Sequence, residues 1–347
     1  MKNEKLRFAV IGCGRMGKRR AQTIVEHPET ELVCVMDVDS NAARRTAEEF
    51  GCIWCKDHEE VLKREDVDIV VVSVPNKWHL PIVLDSLSAG KHVFCEKPLA
   101  RNPEEALRMV KAANAQGLKL KVGSNLRFFP NVRKAKELLD QGAIGELLFL
   151  RSWIGHNGWN LRPGSWFADP EAAGGGTFLD NGCHVLDIAR WFMGEVKSCI
   201  GLVRTNLWPI QPLEDNGFGI FETMDGKTIF IQASWTEWNG YMYMEVYGSE
   251  GYIRIDSRGR RCLTVLGDRE GNEKVFDFSA LPPTSYKAEF EDFVEALKSG
   301  RYPLPSGYDG LRAVEMAWGV YESARTGRRI DLPDHPELRP AEIEGGR

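Results

Sequence analysis

Short apolar runs alternate with amphipathic stretches over the first third of the chain. Runs rich in Val, Ile and Phe predict strands at 7–11, 31–36, 68–74, 92–95 and 119–122. Apolar positions at helical spacing predict helices between them, at 15–26, 40–50, 81–89 and 103–116. Because near-continuous apolar strands alternate with helices, we expect a parallel sheet that is covered on both faces.

The pattern changes after about residue 129, where strand-like runs follow one another directly. These runs lie at 147–153, 218–222, 228–235, 242–247 and 252–255, and turn signals such as Asp225-Gly226 separate several of them. Consecutive strands joined by tight turns indicate a mostly antiparallel sheet. Two predicted helices, at 286–299 and 308–326, close this half of the chain. The pattern therefore predicts an α/β domain followed by an α+β domain.

Composition excludes several classes of partner. The 347 residues include 45 Lys and Arg against 50 Asp and Glu, with no basic stripe, so we expect no nucleic-acid partner. The longest apolar runs are far shorter than the ~20 residues that span a bilayer, so we expect no membrane partner. The first residues lead into a strand without a signal-peptide pattern, and the eight scattered cysteines suit a reducing compartment, which together predict a cytoplasmic protein. The Cys52–Cys55 pair lacks the further ligands of a zinc site, so no metal is predicted.

A glycine-rich segment carries the first chemical signal. Gly12-Cys13-Gly14-Arg15-Met16-Gly17 has the GxGxxG spacing, follows a predicted strand and opens a predicted helix. This context predicts a dinucleotide site of the Rossmann type, in which Gly12 makes the tight turn, Gly14 admits the pyrophosphate and Gly17 allows close helix–strand packing.

An acidic residue indicates which dinucleotide is bound. Asp37 ends the second predicted strand, 20 residues past Gly17. Its carboxylate suits the adenosine ribose hydroxyls and repels a ribose 2′-phosphate, so we predict NAD in preference to NADP. The alternative is a helix-capping Asp in a sheet domain that binds no nucleotide.

Three further segments, together with the glycine motif, resemble one protein family. They are Val74-Pro75-Asn76-Lys77-Trp78-His79, Glu96-Lys97-Pro98, and 174–184, which reads GGGTFLDNGCH. In this order they are similar to the Gfo/Idh/MocA oxidoreductases, which include glucose–fructose oxidoreductase and inositol dehydrogenase. The resemblance extends to about Pro333. It implies an NAD-binding Rossmann domain at 1–125, a substrate domain at 126–333 with a large open sheet, a tail at 334–347, and a homodimer or homotetramer formed through that sheet.

The resemblance also implies which side chains form the site. Those expected to contact the cofactor, besides the three motif glycines and Asp37, are Arg15, Met16, Ser73, Pro75, Asn76, His79, Glu96, Lys97 and Asn125. The catalytic residues of the family correspond to Lys97, Asp180 and His184, and a cis peptide bond is implied before Pro98.

The spacing of the catalytic pair suits proton transfer. Asp180 and His184 are four positions apart, which on a helix places both side chains on one face. We expect His184 to take the hydroxyl proton while Asp180 supports it, and Lys97 to hydrogen-bond the reacting oxygen. A larger proton-transfer role for Lys97 stays open. A structural Asp–His pair and a metal site are the alternatives, although the sequence offers no third or fourth ligand nearby.

The distribution of tryptophan bears on the substrate. Seven of the ten tryptophans lie between Trp153 and Trp238, and Trp159, Arg162 and Trp166 share one loop-like stretch. Aromatic faces beside guanidinium groups suit a polyhydroxylated ring, so we expect these three residues to bind substrate together with the catalytic residues. Arg127 joins them through its resemblance to a family segment at the domain junction. The alternative is that the tryptophans fill the core.

Together these features predict an NAD-dependent dehydrogenase that oxidises a secondary hydroxyl of a sugar, cyclitol or sugar derivative. One alternative is an NAD-dependent glycosidase of the same fold, which acts by transient oxidation and elimination. Another is a non-catalytic NAD-sensing regulator, against which the simultaneous presence of Lys97, Asp180 and His184 argues.

Overall fold

The computed structural model describes residues 5–161, 164–282 and 285–340. Within them, the first domain contains six parallel strands, which are β1 (Leu6–Ile11), β2 (Thr30–Met36), β3 (Ile53–Cys55), β4 (Ile69–Val72), β5 (His92–Glu96) and β6 (Leu120–Gly123). The helices between them are α1 (Arg15–Glu26), α2 (Ser40–Phe50), α3 (His58–Leu62), α4 (His79–Ser88) and α5 (Pro103–Gln116). The strand order is β3-β2-β1-β4-β5-β6, which leaves a crevice where the order reverses, at the carboxyl ends of β1 and β4. The predicted Rossmann sheet is confirmed.

The second domain is built on one large sheet. Its helices and strands, in chain order, are α6 (Pro130–Asp140), β7 (Leu147–Gly155), α7 (Pro170–Ala173), α8 (Thr177–Asp180), α9 (Gly182–Met193), β8 (Val196–Arg204), β9 (Asn216–Thr223), β10 (Thr228–Ser234), β11 (Met242–Gly248), β12 (Gly251–Asp256), β13 (Leu263–Asp268), β14 (Glu273–Asp277), α10 (Ser285–Ser299), α11 (Gly307–Thr326) and β15 (Ile330–Asp331). The sheet order is β14-β13-β12-β11-β7-β10-β9-β8-β15. Strands β7 and β10 run parallel and the other described neighbours run antiparallel, so the predicted mostly antiparallel sheet is also confirmed.

Local sequence signals set the limits of the clearest helices. Asn102 caps α5, because its side chain accepts a hydrogen bond from the Glu105 backbone N–H at 2.9 Å. Pro103 occupies the first turn of α5, where a missing N–H costs nothing, and Gly117 ends the helix with a φ of +64°. Gly51 ends α2 in the same left-handed conformation, with a φ of +69°.

One face of the first sheet is covered by a helix from the far end of the chain. Phe290 and Phe293 of α10 are buried against Phe8 of β1 and Phe94 of β5, with ring centroids 5.3 Å apart for Phe8 and Phe290. Burial of each such side chain contributes roughly 1.5–3 kcal/mol. Although 286–299 lies within the predicted second domain, this helix therefore packs on the Rossmann sheet.

The two faces of the second sheet have different surroundings. Helices α9 and α11 pack on one face, on strands that include β7, β8 and β10. On the other face, large apolar side chains are exposed on neighbouring strands, and these are Phe149, Ile200, Leu202, Ile220 and Phe230. We call this set the apolar sheet face. In the described part of the chain, no helix is both long enough and apolar enough to cross a membrane.

Candidate active site

The glycine loop after β1 has the shape of a phosphate-binding turn. Gly12 has a φ of +99°, and a Cβ atom there would lie 2.2 Å from the Ser73 carbonyl oxygen, so only glycine fits. A Cβ atom on Gly17 would lie 1.7 Å from the Gly12 carbonyl oxygen, so Gly17 lets α1 approach the loop. Gly14 is exposed and faces open space at the start of α1. The residues thus fit a dinucleotide whose pyrophosphate lies over Gly14 at the helix N-terminus.

Asp37 lies beside this loop at the end of β2. Its Oδ2 accepts a hydrogen bond from the Cys13 backbone N–H at 2.7 Å, and its Oδ1 accepts one from the Asp39 N–H at 2.9 Å. Asp37 is half-buried. Two backbone donors therefore hold a negative charge at the position where the sequence places the adenosine ribose.

The segment after β4 forms the next part of the crevice wall. The Ser73 hydroxyl is buried and has no hydrogen-bond partner among the described residues, which suits a group that a cofactor would satisfy. The Asn76 side chain donates to the Ala173 carbonyl at 2.8 Å and so ties this segment to the second domain.

His79 lies buried behind this wall and binds its backbone, rather than lining the crevice. It is 1% exposed, with Nε2 lying 3.0 Å from the Val74 carbonyl and Nδ1 lying 3.1 Å from the Pro98 carbonyl. Burial lowers the pKa of this imidazole. His79 thus links the segment after β4 to the segment after β5, and the structure does not bring it into the crevice as a cofactor contact.

Glu96 and Asn125 lie at strand ends, as predicted, but their side chains bind other protein groups. Glu96 accepts a hydrogen bond from Arg20 Nε at 2.6 Å, and Arg20 also donates to Glu289 of α10 at 2.7 Å. The Asn125 side chain donates to the Ser285 hydroxyl at 2.9 Å. Both residues therefore anchor the crevice floor to α10.

Lys97 and Asp180 meet across the domain junction. The Lys97 Nζ donates to Asp180 Oδ1 at 2.7 Å and to the Asp180 backbone carbonyl at 3.1 Å. The peptide bond between Lys97 and Pro98 is cis, as the resemblance implied. Asp180 is the last residue of α8, whereas His184 lies in α9, which begins at Gly182. The carboxylate that was expected to support His184 is thus bound to Lys97.

His184 has a different partner. Its Nδ1 lies 3.0 Å from the hydroxyl of Ser124, which follows β6, and both residues are buried. If Nδ1 carries the proton and donates it to Ser124, the lone pair of Nε2 stays free to accept a proton. Ser124 is therefore a residue of the site that sequence reasoning missed.

Electrostatics separate the roles of the two basic groups. Burial lowers the pKa of His184 well below its ordinary value, and the Lys97 charge lowers it further. For Lys97, burial alone would lower the pKa, but the Asp180 carboxylate outweighs it and raises the pKa above the ordinary value. At neutral pH the site therefore holds a neutral imidazole beside an ammonium–carboxylate pair.

A second histidine of this site was also missed from the sequence. His156 follows β7, its ring centroid lies 5.6 Å from that of Trp159, and the charges of Asp180 and Lys97 both act on its pKa. Burial lowers its pKa to about 4, so it is neutral at pH 7. Its Nδ1 accepts a hydrogen bond from the Gly158 N–H at 3.1 Å, which leaves Nε2–H as a donor. Tyr241 lies beside the end of β7, since its backbone carbonyl accepts a hydrogen bond from the Gly155 N–H at 2.9 Å, and the charges of Lys97 and Asp180 act on the pKa of its hydroxyl.

The tryptophans of the loop after β7 have different surroundings, one exposed near the glycine loop and one packed in an apolar cluster. Trp159 is 48% exposed and stacks on Arg15 of α1, whose guanidinium carbon lies 4.7 Å from the ring centroid. Trp166 packs instead into a cluster with Trp208, Leu213 and the fully buried Trp235. Arg162 lies outside the described residues.

Arg127 does not reach the crevice. It is 1% exposed, and its guanidinium donates to both oxygens of Asp187, at 2.7 and 2.5 Å, and to Asp309 at 3.0 Å. This arrangement commits the side chain to a buried ion network between α9 and α11 rather than to substrate.

Comparison with known proteins agrees with this architecture. The model of an oxidoreductase family with an NAD-binding Rossmann fold matches residues 6–124, and the model of the GFO/IDH/MocA C-terminal domain matches residues 132–254. The myo-inositol 2-dehydrogenase of Thermotoga maritima is 30% identical over 339 residues, which cover 95% of this chain and 99% of that protein. The 2,7-anhydro-N-acetylneuraminate hydratase of Escherichia coli is 30% identical over 262 residues, which cover 72% of this chain and 68% of that protein.

A solved structure extends the likeness to three dimensions. Levoglucosan dehydrogenase in complex with NADH and levoglucosan superposes with a TM-score of 0.87 at 25% identity, covering 95% of this chain and 100% of that one. With both family models matched, the chain belongs to the Gfo/Idh/MocA family of NAD-binding oxidoreductases.

Proposed function

We propose that this protein is an NAD-dependent dehydrogenase that oxidises a secondary hydroxyl of a sugar, cyclitol or sugar derivative. One observation carries the proposal: an ammonium–carboxylate pair, Lys97 with Asp180, lies beside a neutral histidine, His184, at the carboxyl edge of a Rossmann sheet. Such an arrangement can bind a hydroxyl oxygen and remove its proton. The named activities of the inositol and levoglucosan relatives support the same reading.

The glycine loop and the strand ends would hold the cofactor, which supplies the hydride acceptor when bound. The residues proposed to line it are Gly12, Gly14, Arg15, Met16, Asp37, Ser73, Pro75, Asn76 and Lys97, with Gly17, His79, Glu96 and Asn125 shaping the cradle from behind.

The proton and the hydride leave the substrate by separate routes. His184, neutral and backed by Ser124, accepts the hydroxyl proton at Nε2. The ammonium of Lys97 donates a hydrogen bond to the same oxygen and stabilises the negative charge that develops there. As the carbon–hydrogen bond electrons depart as hydride, that oxygen becomes a carbonyl. Asp180 keeps Lys97 protonated, which favours His184 over Lys97 as the proton acceptor.

The substrate would lie between this pair and the loop after β7. His156 offers an N–H donor, Tyr241 a hydroxyl and Trp159 an exposed aromatic face, which together suit a ring bearing several hydroxyl groups. We also propose a contact from Arg162, on the strength of its place in the loop sequence. Trp166 and Arg127 act behind the site, through packing and the ion network.

The acidic residue at the end of β2 favours NAD over NADP in this proposal. Asp37 accepts hydrogen bonds from two backbone N–H groups, which favour a carboxylate position at the end of β2, where a ribose 2′-phosphate would be repelled. Substitution Asp37→Ala should therefore raise kcat/KM for NADP relative to NAD by about 10-fold or more, since removal of one repulsive charge contact is worth at least about 1.4 kcal/mol. A wild-type protein that already prefers NADP would contradict this assignment.

The experiment that tests the function is a substrate panel of cyclitols, aldoses, anhydro sugars and aminosugars, each incubated with NAD or NADP while NADH absorbance is followed. We expect NADH to accumulate in proportion to product with at least one polyol. The likeness to a hydratase of an anhydro sugar favours one rival, a net hydration or hydrolysis in which bound NAD is regenerated. Turnover of a sugar without accumulation of NADH would support that rival and overturn the dehydrogenase.

We further propose a homodimer or homotetramer that forms through the apolar sheet face. Ile220 pairs with Phe230 on one side and with Ile200 on the other, so these exposed residues form one contiguous patch. A patch of this kind marks an interaction surface.

A further inference from the structure

The backbone N–H groups that open α8 have an unusually complete set of acceptors. The N–H groups of Gly176 and Phe178 donate to the Glu214 carboxylate at 2.9 and 2.8 Å. The N–H of Thr177 donates to the Glu214 backbone carbonyl at 3.1 Å, and the N–H of Leu179 donates to the Tyr321 hydroxyl at 3.1 Å. Four successive donors before Asp180 are therefore satisfied by two residues from distant parts of the chain.

The glycine triplet makes room for these two residues. A Cβ atom on Gly176 would lie 2.0 Å from the Glu214 carbonyl oxygen and 2.6 Å from its Oε2. A Cβ atom on Gly175 would lie 2.6 Å from the Tyr321 hydroxyl. Gly175 and Gly176, which the cofactor and substrate contacts do not explain, are thus required by the close approach of Tyr321 and Glu214, whereas Gly174 has a φ of +81° and lies against Arg101.

Glu214 is a buried carboxyl group that accepts hydrogen bonds from the start of α8. It is 5% exposed, and its Oε1 also accepts a hydrogen bond from the Tyr321 hydroxyl at 2.8 Å. Burial raises its pKa to about 7, while the N–H groups of α8 and the hydroxyl of Tyr321, from α11, lower it in smaller measure. The backbone N–H of Glu214 itself lowers the pKa as well. Burial of this carboxyl group costs desolvation free energy, and the hydrogen bonds that it accepts offset that cost.

We propose that Glu214, together with Tyr321, is a positioning residue that fixes the backbone of α8 so that the Asp180 carboxylate stays on the Lys97 ammonium. The inference rests on the proposed dehydrogenase reaction, because the Lys97–Asp180 pair is where the reacting oxygen would bind. Asp180 ends the one-turn helix whose first N–H groups Glu214 holds, so a shift of that turn moves the carboxylate directly. A misplacement of about 1 Å at such a site can lower the rate of the chemical step by about 100-fold.

Two substitutions weaken or remove these contacts with little change of volume. Glu214→Gln replaces one acceptor oxygen with an NH₂ group, which cannot accept from the Gly176 or Phe178 N–H. Tyr321→Phe removes the hydroxyl that joins Leu179 to Glu214. Tyr252→Phe is the matched control, since it also removes a tyrosine–glutamate hydrogen bond, to Glu273, on the far side of the second sheet.

The test combines kinetics with a measurement that needs no substrate. In full-length protein that binds NADH with wild-type affinity, we expect kcat to fall about 10- to 100-fold for Glu214→Gln and Tyr321→Phe, with KM for NAD unchanged. Competitive acylation of lysines, read by mass spectrometry, reports the fraction of Lys97 that is neutral. Because Asp180 raises the Lys97 pKa, its displacement should increase Lys97 labelling by about threefold or more, which corresponds to half a pKa unit.

The outcomes separate this inference from the proposed function. If wild-type protein oxidises no sugar or cyclitol but the two variants still increase Lys97 labelling, the function is wrong and the positioning role stands. Unchanged labelling and kcat within twofold of wild type in folded Tyr321→Phe would overturn the positioning role. The same would follow if Tyr252→Phe lost as much activity, and Tyr321→Phe decides the matter if Glu214→Gln does not fold.

Discussion

Substitution of Asp180 by Asn tests the central ion pair most directly, because it keeps the side-chain shape and removes one charge. The Lys97 side chain is 24% exposed and that of Asp180 is 11% exposed, with Nζ and Oδ1 2.7 Å apart. Loss of one partner from a buried ion pair costs about 3–5 kcal/mol. Since a quarter of Lys97 reaches solvent and the Asp180 backbone carbonyl still accepts from Nζ, we expect about 2–3 kcal/mol at pH 7.

The destabilisation caused by Asp180→Asn has an upper bound, which is the free energy needed to deprotonate Lys97 and therefore depends on pH. An unpaired lysine can release its proton, and for an ordinary pKa of about 10.4 this costs about 4–5 kcal/mol at pH 7 but only about 1 kcal/mol at pH 9.5. The wild-type lysine stays charged over that range because Asp180 raises its pKa. The destabilisation caused by Asp180→Asn should therefore fall to about 1 kcal/mol or less at pH 9.5.

Urea unfolding at pH 7 and pH 9.5, followed by tryptophan fluorescence and circular dichroism, measures both values. Asp140→Asn is the control, since Asp140 pairs with Lys136 at the surface, where such pairs contribute about 0–1 kcal/mol. The double variant Lys97→Met with Asp180→Asn should regain most of the lost stability, because no unpaired charge remains. Equal penalties at the two pH values, a penalty no larger than that of Asp140→Asn, or a double variant without recovery would refute the reasoning.

Four further predictions follow from the same geometry. His184→Ala should lower the rate of hydride transfer by about 100-fold or more while NADH still binds, as fluorescence titration would detect; retention of most of kcat would refute the role of base. Ser124→Ala should lower kcat by about 10-fold and move the acidic limb of the kcat/KM profile to lower pH, because the imidazolium loses a hydrogen-bond acceptor; an unmoved limb would contradict this. Glu214 has a raised pKa in the folded state, so its contribution to stability is fully present below pH 4.5 and is lost as pH rises through about 7. Relative to Glu214→Gln, the wild-type free energy of unfolding should therefore fall by on the order of 3 kcal/mol over this range, and parallel curves would oppose it. Phe230→Glu should dissociate the oligomer in sedimentation velocity, and an unchanged sedimentation coefficient would exclude the apolar sheet face as the interface.

The sequence predicts the first domain well because its signals are local. Helices α1, α2 and α5 begin and end at the predicted residues, where a glycine loop, Asp39 and Asn102 start them and Gly51 and Gly117 end two of them. The exposed edge strand β14 reads Glu-Lys-Val-Phe-Asp and gives no apolar run, so it was not predicted. Strand β8 was also missed, and its alternation is blurred by the exposed Ile200 and Leu202, which belong to the apolar sheet face.

The position of α10 could not be predicted from the sequence, because an amphipathic pattern does not specify the sheet on which a helix packs. Its apolar stripe, with Phe290 and Phe293, would suit either domain. Phe8 lies more than 280 positions away along the chain, and only the closure of that long loop brings the rings to 5.3 Å. The ion pair between Arg20 and Glu289 depends on the same loop closure. The sequence therefore did not show that Arg20 joins Glu96 to Glu289.

The site residues also divide into those that a local motif reveals and those that only contacts between distant segments reveal. The family resemblance identifies Lys97, Asp180 and His184, but the four-residue spacing assigns Asp180 to His184, because spacing along one helix describes neighbours only within that helix. The Asn181 backbone between them keeps helical angles, with φ of −86° and ψ of −41°, yet the Asp180 carboxylate binds a lysine from another strand end. His156 left no comparable signal in the sequence, because it lies in the loop after β7 and belongs to none of the motifs. Its position follows from the pairing of β7 with β10 and β11, which are distant in the sequence, and local sequence does not encode such a pairing.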